Sequence, residues 1–178
     1  MLFRSYKSAA SVIRMLADIV SKNGNLMLSV PLRRDGQPDA DEITIVSEIG
    51  AWLKVNGEAI YATRPWKIFG EGPSTQTSKK GQFDGQADVS NKPFTSEDVR
   101  FTQSKDGNVL FAIVLEIPKD RKVTVKSLAT KSEYWPGRIS RVRLVGGGKL
   151  EFARDERGLH VKLPEKFDGR TAFALKIQ

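Results

Sequence analysis

Val99-Arg100-Phe101-Thr102, Lys105-Asp106-Gly107-Asn108 and Val109-Leu110-Phe111-Ala112-Ile113-Val114-Leu115 together form the stretch that decides the fold. Two runs of strand-favouring residues flank an Asp-Gly step. Aspartate and glycine tolerate the backbone angles of a tight connection, so the stretch predicts a β-hairpin. Towards the carboxy terminus the period of two continues. Val123-Thr124-Val125 follows, then Ile139 to Val145, where Val142 and Leu144 alternate with Arg141 and Arg143. Leu150-Glu151-Phe152, Leu159-His160-Val161-Lys162-Leu163 and Phe173-Ala174-Leu175-Lys176-Ile177 complete the series. Short strands at this spacing, with turn residues between them, predict an all-β antiparallel sandwich over residues 99–178.

Towards the amino terminus the texture changes. Residues 70–98 are rich in Gly, Pro, Ser, Lys and Gln and read as a linker or loop. Before them, residues 1–69 spell helix, strand, helix. Val12, Ile13, Leu16, Ile19 and Val20 recur at helical spacing over 6–21, with Gly24 placed to end the helix. Leu26-Met27-Leu28-Ser29-Val30 is short and nearly continuous in apolar character, the pattern of a strand buried on both faces in a parallel sheet. Arg33-Arg34-Asp35-Gly36 reads as a turn. Asp39 with Glu42 forms a capping-box pattern ahead of Ile43, Val46, Ile49 and Leu53, and Gly57 is the expected stop. One doubly buried strand needs neighbours on both sides, so this αβα piece implies partners that it does not itself contain.

The chain has 178 residues, so it holds one large domain or two small ones at roughly 100–200 residues each. Its 39% hydrophobic content supplies a core and argues against wholesale disorder. No apolar run approaches the roughly 18 residues of a membrane helix, so no membrane partner is expected. Arg14 and Asp18 interrupt the first apolar segment, which therefore reads as an amphipathic helix and not as an export signal. Without cysteine there are no disulfides and no thiolate metal sites. The net charge of +8 raises nucleic acid as a partner. Lys79-Lys80, Arg121-Lys122 and the basic residues from Arg138 to Arg143 are, however, separated by acidic or apolar residues. They read as a solvated basic surface, and no nucleic acid is expected.

Two longer blocks carry a resemblance. Val20-Ser21-Lys22-Asn23-Gly24-Asn25-Leu26-Met27-Leu28 resembles the last-strand motif of glycoside hydrolase family 29 α-L-fucosidases. Ile49-Gly50-Ala51-Trp52-Leu53-Lys54-Val55-Asn56-Gly57-Glu58-Ala59-Ile60-Tyr61-Ala62-Thr63-Arg64-Pro65-Trp66 is similar to that family's final barrel helix and its exit. The order and spacing of the blocks also match. The resemblance implies the closing unit of a (β/α)₈-type barrel in residues 1–69, with a β-sandwich appended. It further implies retaining hydrolysis of α-L-fucosyl linkages, in which one carboxylate attacks the anomeric carbon and a second carboxyl acts as acid and then base. The family's catalytic carboxylates, fucose-binding histidines and most pocket aromatics correspond to sequence upstream of residue 1. No catalytic residue is therefore expected here, and the chain alone is expected to be inactive. The implied partners are a fucosylated glycan and the remainder of the barrel, with no cofactor. The parent enzyme is expected to be secreted or periplasmic.

The expected contacts to substrate are Pro31, Leu32, Arg33 and Arg34, which follow the carboxyl end of the strand and would line the aglycone rim. Here the sequence departs from the family, whose members often continue with Asn, a small residue and Pro. Arg33 and Arg34 read equally well as plain turn residues. His160 alternates with Leu159 and Val161 and is expected at the surface. Asp35, Asp39, Asp41 and Glu42 lack calcium-loop spacing, and no metal is expected. Gly70-Glu71-Gly72-Pro73 and Gly146-Gly147-Gly148 have no strand-to-helix context for phosphate binding. Trp52 and Trp66 are expected to pack between barrel and sandwich. The alternative reading is a non-catalytic carbohydrate-binding or interaction module built on the sandwich.

Overall fold

In the computed structural model the chain is described over residues 6–76, 94–167, 169 and 171–178. Two helices come first, α1 (Ala9–Ser21) and α2 (Ala40–Asn56). The strands follow: β1 (Thr63–Glu71), β2 (Val99–Ser104), β3 (Leu110–Val114), β4 (Lys122–Val125), β5 (Val142–Leu144), β6 (Glu151–Asp155), β7 (Gly158–Lys162) and β8 (Phe173–Ile177). They form a five-stranded sheet, β1-β2-β3-β8-β5, facing a three-stranded sheet, β4-β7-β6. All the strand pairs are antiparallel.

The hairpin forms where the sequence places it. β2 pairs with β3 from Val99↔Val114 to Gln103↔Leu110. Gly107 carries the turn at φ +75°, and its N–H donates to the Ser104 carbonyl at 2.9 Å. The remaining strands predicted for the sandwich are also present, and one more was missed. Thr63–Glu71, divided in the sequence reading between the barrel exit and the linker, is the edge strand β1. Its ladder with β2 is interrupted between Pro65 and Gly70 by a bulge. A proline in an edge strand loses no ladder hydrogen bond if its nitrogen faces outward. The Pro and Gly that hid this strand are thus tolerated at the edge. Of the predicted linker, residues 77–93 lie outside the described residues, while Pro73–Gln76 forms a 3₁₀ turn.

Two cores share the larger sheet. Between the sheets, Leu110, Ala112 and Val114 of β3 and Phe173, Leu175 and Ile177 of β8 meet Val123, Val125, Leu159 and Val161. On the opposite face, Phe111, Ile113, Leu115 and Ala174 pack under Ala9, Val12, Ile13 and Ala17 of α1 and Ile49 and Trp52 of α2. Every residue of β3 is consequently buried. One side of the helical layer therefore finds its cover on the larger sheet of the same chain.

The helix ends follow local chemistry. Ser8 caps α1 through the Ser11 N–H, and Asp39 and Glu42 form the predicted capping box on α2. At the end of α1 the left-handed residue is Asn23 (φ 66°), one position before the expected glycine. The Gly24 N–H closes the motif on the Ile19 carbonyl at 2.8 Å.

Leu26–Val30 departs from its reading. It makes no ladder, and Met27 is 95% exposed. A parallel strand takes all its main-chain hydrogen bonds from neighbouring strands, and among the described residues no strand lies beside it.

Candidate functional site

Pro31, Leu32, Arg33 and Arg34 lie in an exposed loop between α1 and α2. The Arg33 N–H donates to the Gln37 carbonyl at 2.8 Å, and the Gly36 N–H donates to the Arg33 carbonyl at 3.0 Å. The Arg33 guanidinium pairs with Asp35 at 3.2 Å, while Leu32 is 58% exposed. The loop is thus a closed turn that presents an arginine and a leucine to solvent. The neighbouring acids have structural duties: Asp39 accepts from the Glu42 N–H at 3.0 Å and from the Tyr6 hydroxyl. Among the described residues no group of three His, Cys, Asp or Glu side chains is placed to hold a metal.

The elements on either side of this loop keep several large apolar side chains exposed. Met27, Leu28, Val30 and Leu32 of the extended segment are exposed, as are Ile43 and Val46 of α2. Helix α2 buries Ile49 and Trp52 against the sheet while Ile43 stays 52% exposed, so it is apolar on two sides. A helix that is apolar beyond one stripe belongs between two layers, and the described residues supply one of them.

The layer that is present is held by polar contacts that the sequence did not announce. Arg100 is buried to 2% exposure on β2. Its guanidinium bonds Asp18 of α1 at 2.6 Å, Ser74 Oγ at 2.8 Å and the Val99 carbonyl at 3.2 Å. Asp18 also takes Lys22 at 2.7 Å. Arg14 Nε donates to the Leu115 carbonyl at 2.8 Å. Trp52 Nε1 donates to the Ala172 carbonyl at 2.6 Å, so Trp52 lies on the seam as expected. Asn56 bridges the same seam by accepting from the Ala174 N–H at 3.1 Å. Trp66, by contrast, lies inside the sandwich, edge-on to Phe101 with ring centroids 5.0 Å apart. Alternation puts Arg100 with Thr102 on the polar side of Val99-Arg100-Phe101-Thr102, so the sequence carried no signal that Arg100 is buried.

His160 sits on the outer face of the small sheet, half-buried, in an open groove of about 570 Å³ shared with Lys122, Thr124, Lys126 and Arg157. Its Nε2 is 2.9 Å from Asp155 Oδ1 and its Nδ1 is 3.0 Å from Thr124 Oγ1. The hydrogen bond from His160 and the Arg157 N–H hold the Asp155 carboxyl well below the usual carboxylate range. Both ring nitrogens thus have hydrogen-bond partners within the chain. Lys126 is tied to Glu97 at 2.8 Å, and this contact raises its ammonium above the ordinary lysine value. Asp98, almost fully buried, is pushed up by burial but pulled down further by donors from Ser74 and Thr95, and lies net below its ordinary value.

Comparison with known proteins gives one consistent picture. Residues 2–58 match the family model described as Alpha-L-fucosidase, and residues 91–178 match the model described as Alpha-L-fucosidase C-terminal domain. The chain is similar to an alpha-L-fucosidase of Branchiostoma floridae, at 39% identity over 67% of this chain and 21% of the relative. It is also similar to the human tissue alpha-L-fucosidase, at 27% identity over 88% of this chain and 28% of the relative. Among solved structures, Thermotoga maritima alpha-fucosidase superposes with a TM-score of 0.71 at 25% identity, covering 99% of this chain and 36% of that one. The chain thus spans roughly a fifth to a third of the relatives it matches.

Proposed function

Because this chain belongs to the α-L-fucosidase family and corresponds to its carboxy-terminal part, we propose that it completes a retaining α-L-fucosidase whose catalytic carboxylates lie in the remainder of the protein. In this reading residues 1–69 supply the last strand and helices of the catalytic barrel, 70–98 connect, and 99–178 form the supporting β-sandwich. The edge strand Thr63–Glu71 is the exception to these bounds, since its ladder with β2 joins it to the sheet of the sandwich.

The observation that carries the proposal is the open apolar segment Met27–Leu32 with the exposed flank of α2. This segment belongs to no helix or strand of the described residues, and its side chains are apolar enough to be buried on both sides. Strands of the barrel would supply the missing ladder, and burial of these side chains would supply the driving force. Pro31, Leu32, Arg33 and Arg34 would then stand at the carboxyl end of a barrel strand, where such enzymes bind substrate. The substrate class is a fucosylated glycan, in keeping with the Thermotoga maritima alpha-fucosidase crystallised in complex with fucose. The chemistry would be displacement by one carboxylate with a second acting as acid and then base, the two being about 5–5.5 Å apart.

The test is hydrolysis of an aryl α-L-fucoside. The purified chain is expected to show none, and co-expression with the upstream barrel is expected to restore it. Turnover by the isolated chain would overturn the assignment of the catalytic groups to the remainder. A fully assembled barrel whose activity is indifferent to Met27→Asp and Val30→Asp would overturn the strand assignment.

A further inference from the structure

The basic residues around Arg141 are separated by apolar residues in sequence, and the strand period gathers them. Arg143 on β5 lies directly opposite Lys176 on β8. On its other side it lies opposite Lys149. Directly opposed residues of antiparallel strands put their side chains on one face. Arg141 exchanges main-chain hydrogen bonds with Gln178, at 3.0 Å in each direction, so the ladder continues and Arg141 shares the face of Arg143. Four cations therefore occupy one face of the sheet edge.

Only one of the four is neutralised. Lys176 pairs with Glu58 at the end of the helical layer. Arg141, Arg143 and Lys149 are exposed, and among the described residues none of them is in an ion pair. Like charges directly opposite one another destabilise a sheet, and here Arg143 has one on each side. Val55 of α2 lies beside Gly146 and Glu58 reaches Lys176, while Arg141, Arg143 and Lys149 remain exposed. The result is an exposed strip whose basic side chains leave the backbone about 5 to 7 Å apart, set by cross-strand and along-strand spacing.

We propose that Arg141, Arg143 and Lys149 form a binding strip for a polyanionic glycan, a sugar chain bearing sulfate or carboxylate groups. The choice of a glycan over another polyanion rests on the fucosidase reading, and the cation strip itself does not. The strip would hold a long acidic substrate by its charged units while the linkage to be cut lies elsewhere. Among the described residues none of the three cations lies over an aromatic ring, so the strip reads charge and not base stacking.

The test is retention of the full chain on immobilised dextran sulfate, with neutral dextran and a single-stranded oligonucleotide as the other arms. Dextran sulfate is expected to bind and neutral dextran is not. Affinity should fall with a log–log salt slope of about −2 to −3, as the release of roughly three counterions requires. Arg141→Gln with Arg143→Gln and Lys149→Gln is expected to weaken binding about tenfold or more at 50 mM salt and to flatten that slope. A control removing the same charge at Lys105, Lys119 and Lys166 is expected to do neither. Equal losses in the two triple variants would overturn the strip, since net charge alone would explain them. Tighter binding to the oligonucleotide than to dextran sulfate would overturn the glycan assignment. Neither result bears on fucoside hydrolysis by the assembled barrel, which separately tests the parent reading.

Discussion

Replacing Arg100 with methionine removes the guanidinium that ties α1 to the sheet while keeping most of its volume. Asp18 then loses its 2.6 Å partner, and Ser74 Oγ loses its 2.8 Å donor. Breaking a buried ion pair from one side costs about 3–5 kcal/mol, mostly for the charge left behind. Asp18 remains 25% exposed and keeps Lys22 at 2.7 Å, which places the expected loss near the lower end, about 3 kcal/mol. With a urea slope of about 2 kcal/mol/M, the midpoint should drop by about 1.5 M. Equilibrium urea unfolding followed by tryptophan fluorescence reads this directly. Hydrogen exchange should show protection lost first in Ala9–Ser21, because that helix is what the clamp holds. Adding Asp18→Asn to Arg100→Met removes the orphaned charge and should recover about 1–2 kcal/mol. A midpoint shift under 0.5 M for Arg100→Met with unchanged slope would refute the reasoning. So would further loss in the double variant.

Three other outcomes are expected. Trp52→Phe keeps the ring in the seam but leaves the Ala172 carbonyl without its 2.6 Å donor, and should cost about 1–2 kcal/mol in thermal or urea unfolding. Asp98 gives the acid limb its sign. Its folded-state carboxyl lies below the ordinary value, so its stabilisation is fully present above the unfolded value of about 3.9 and is lost as pH falls through the lowered one. Urea midpoints between pH 7 and pH 2 should fall less steeply in Asp98→Asn than in the wild type, from a lower starting point. Met27→Lys should leave the chain's stability within about 0.5 kcal/mol, since Met27 is 95% exposed, yet reduce self-association measured by light scattering.

The hairpin, the capping box and the strands after Lys105 were legible because each rests on local chemistry. Asp-Gly sets a turn, Asp39 with Glu42 satisfies a helix end, and alternation sets a strand face. Strand β1 was not legible. Its Pro65 and Gly70 carry loop signals, and only its position at a sheet edge, with a bulge to absorb them, lets them stay. Leu26–Val30 shows the reverse case. Its apolar run implies burial that the described residues do not supply, because a ladder is a property of neighbouring strands and not of the strand itself.

The candidate site divides along the same line. Pro31–Arg34 could be singled out from order along the chain, since they follow the orphan segment. Where they point in an assembled barrel depends on residues far from them in sequence. The Arg100–Asp18 clamp joins positions 82 residues apart, and the row of Lys149, Arg143 and Lys176 exists only through pairing register. The sequence by itself determined family, helix ends and strand alternation, because these depend on neighbours along the chain. The tertiary structure alone decided which buried charges meet and which exposed ones line up. Coulomb interactions and hydrogen bonds depend on distance in space, and the chain's order leaves that distance open.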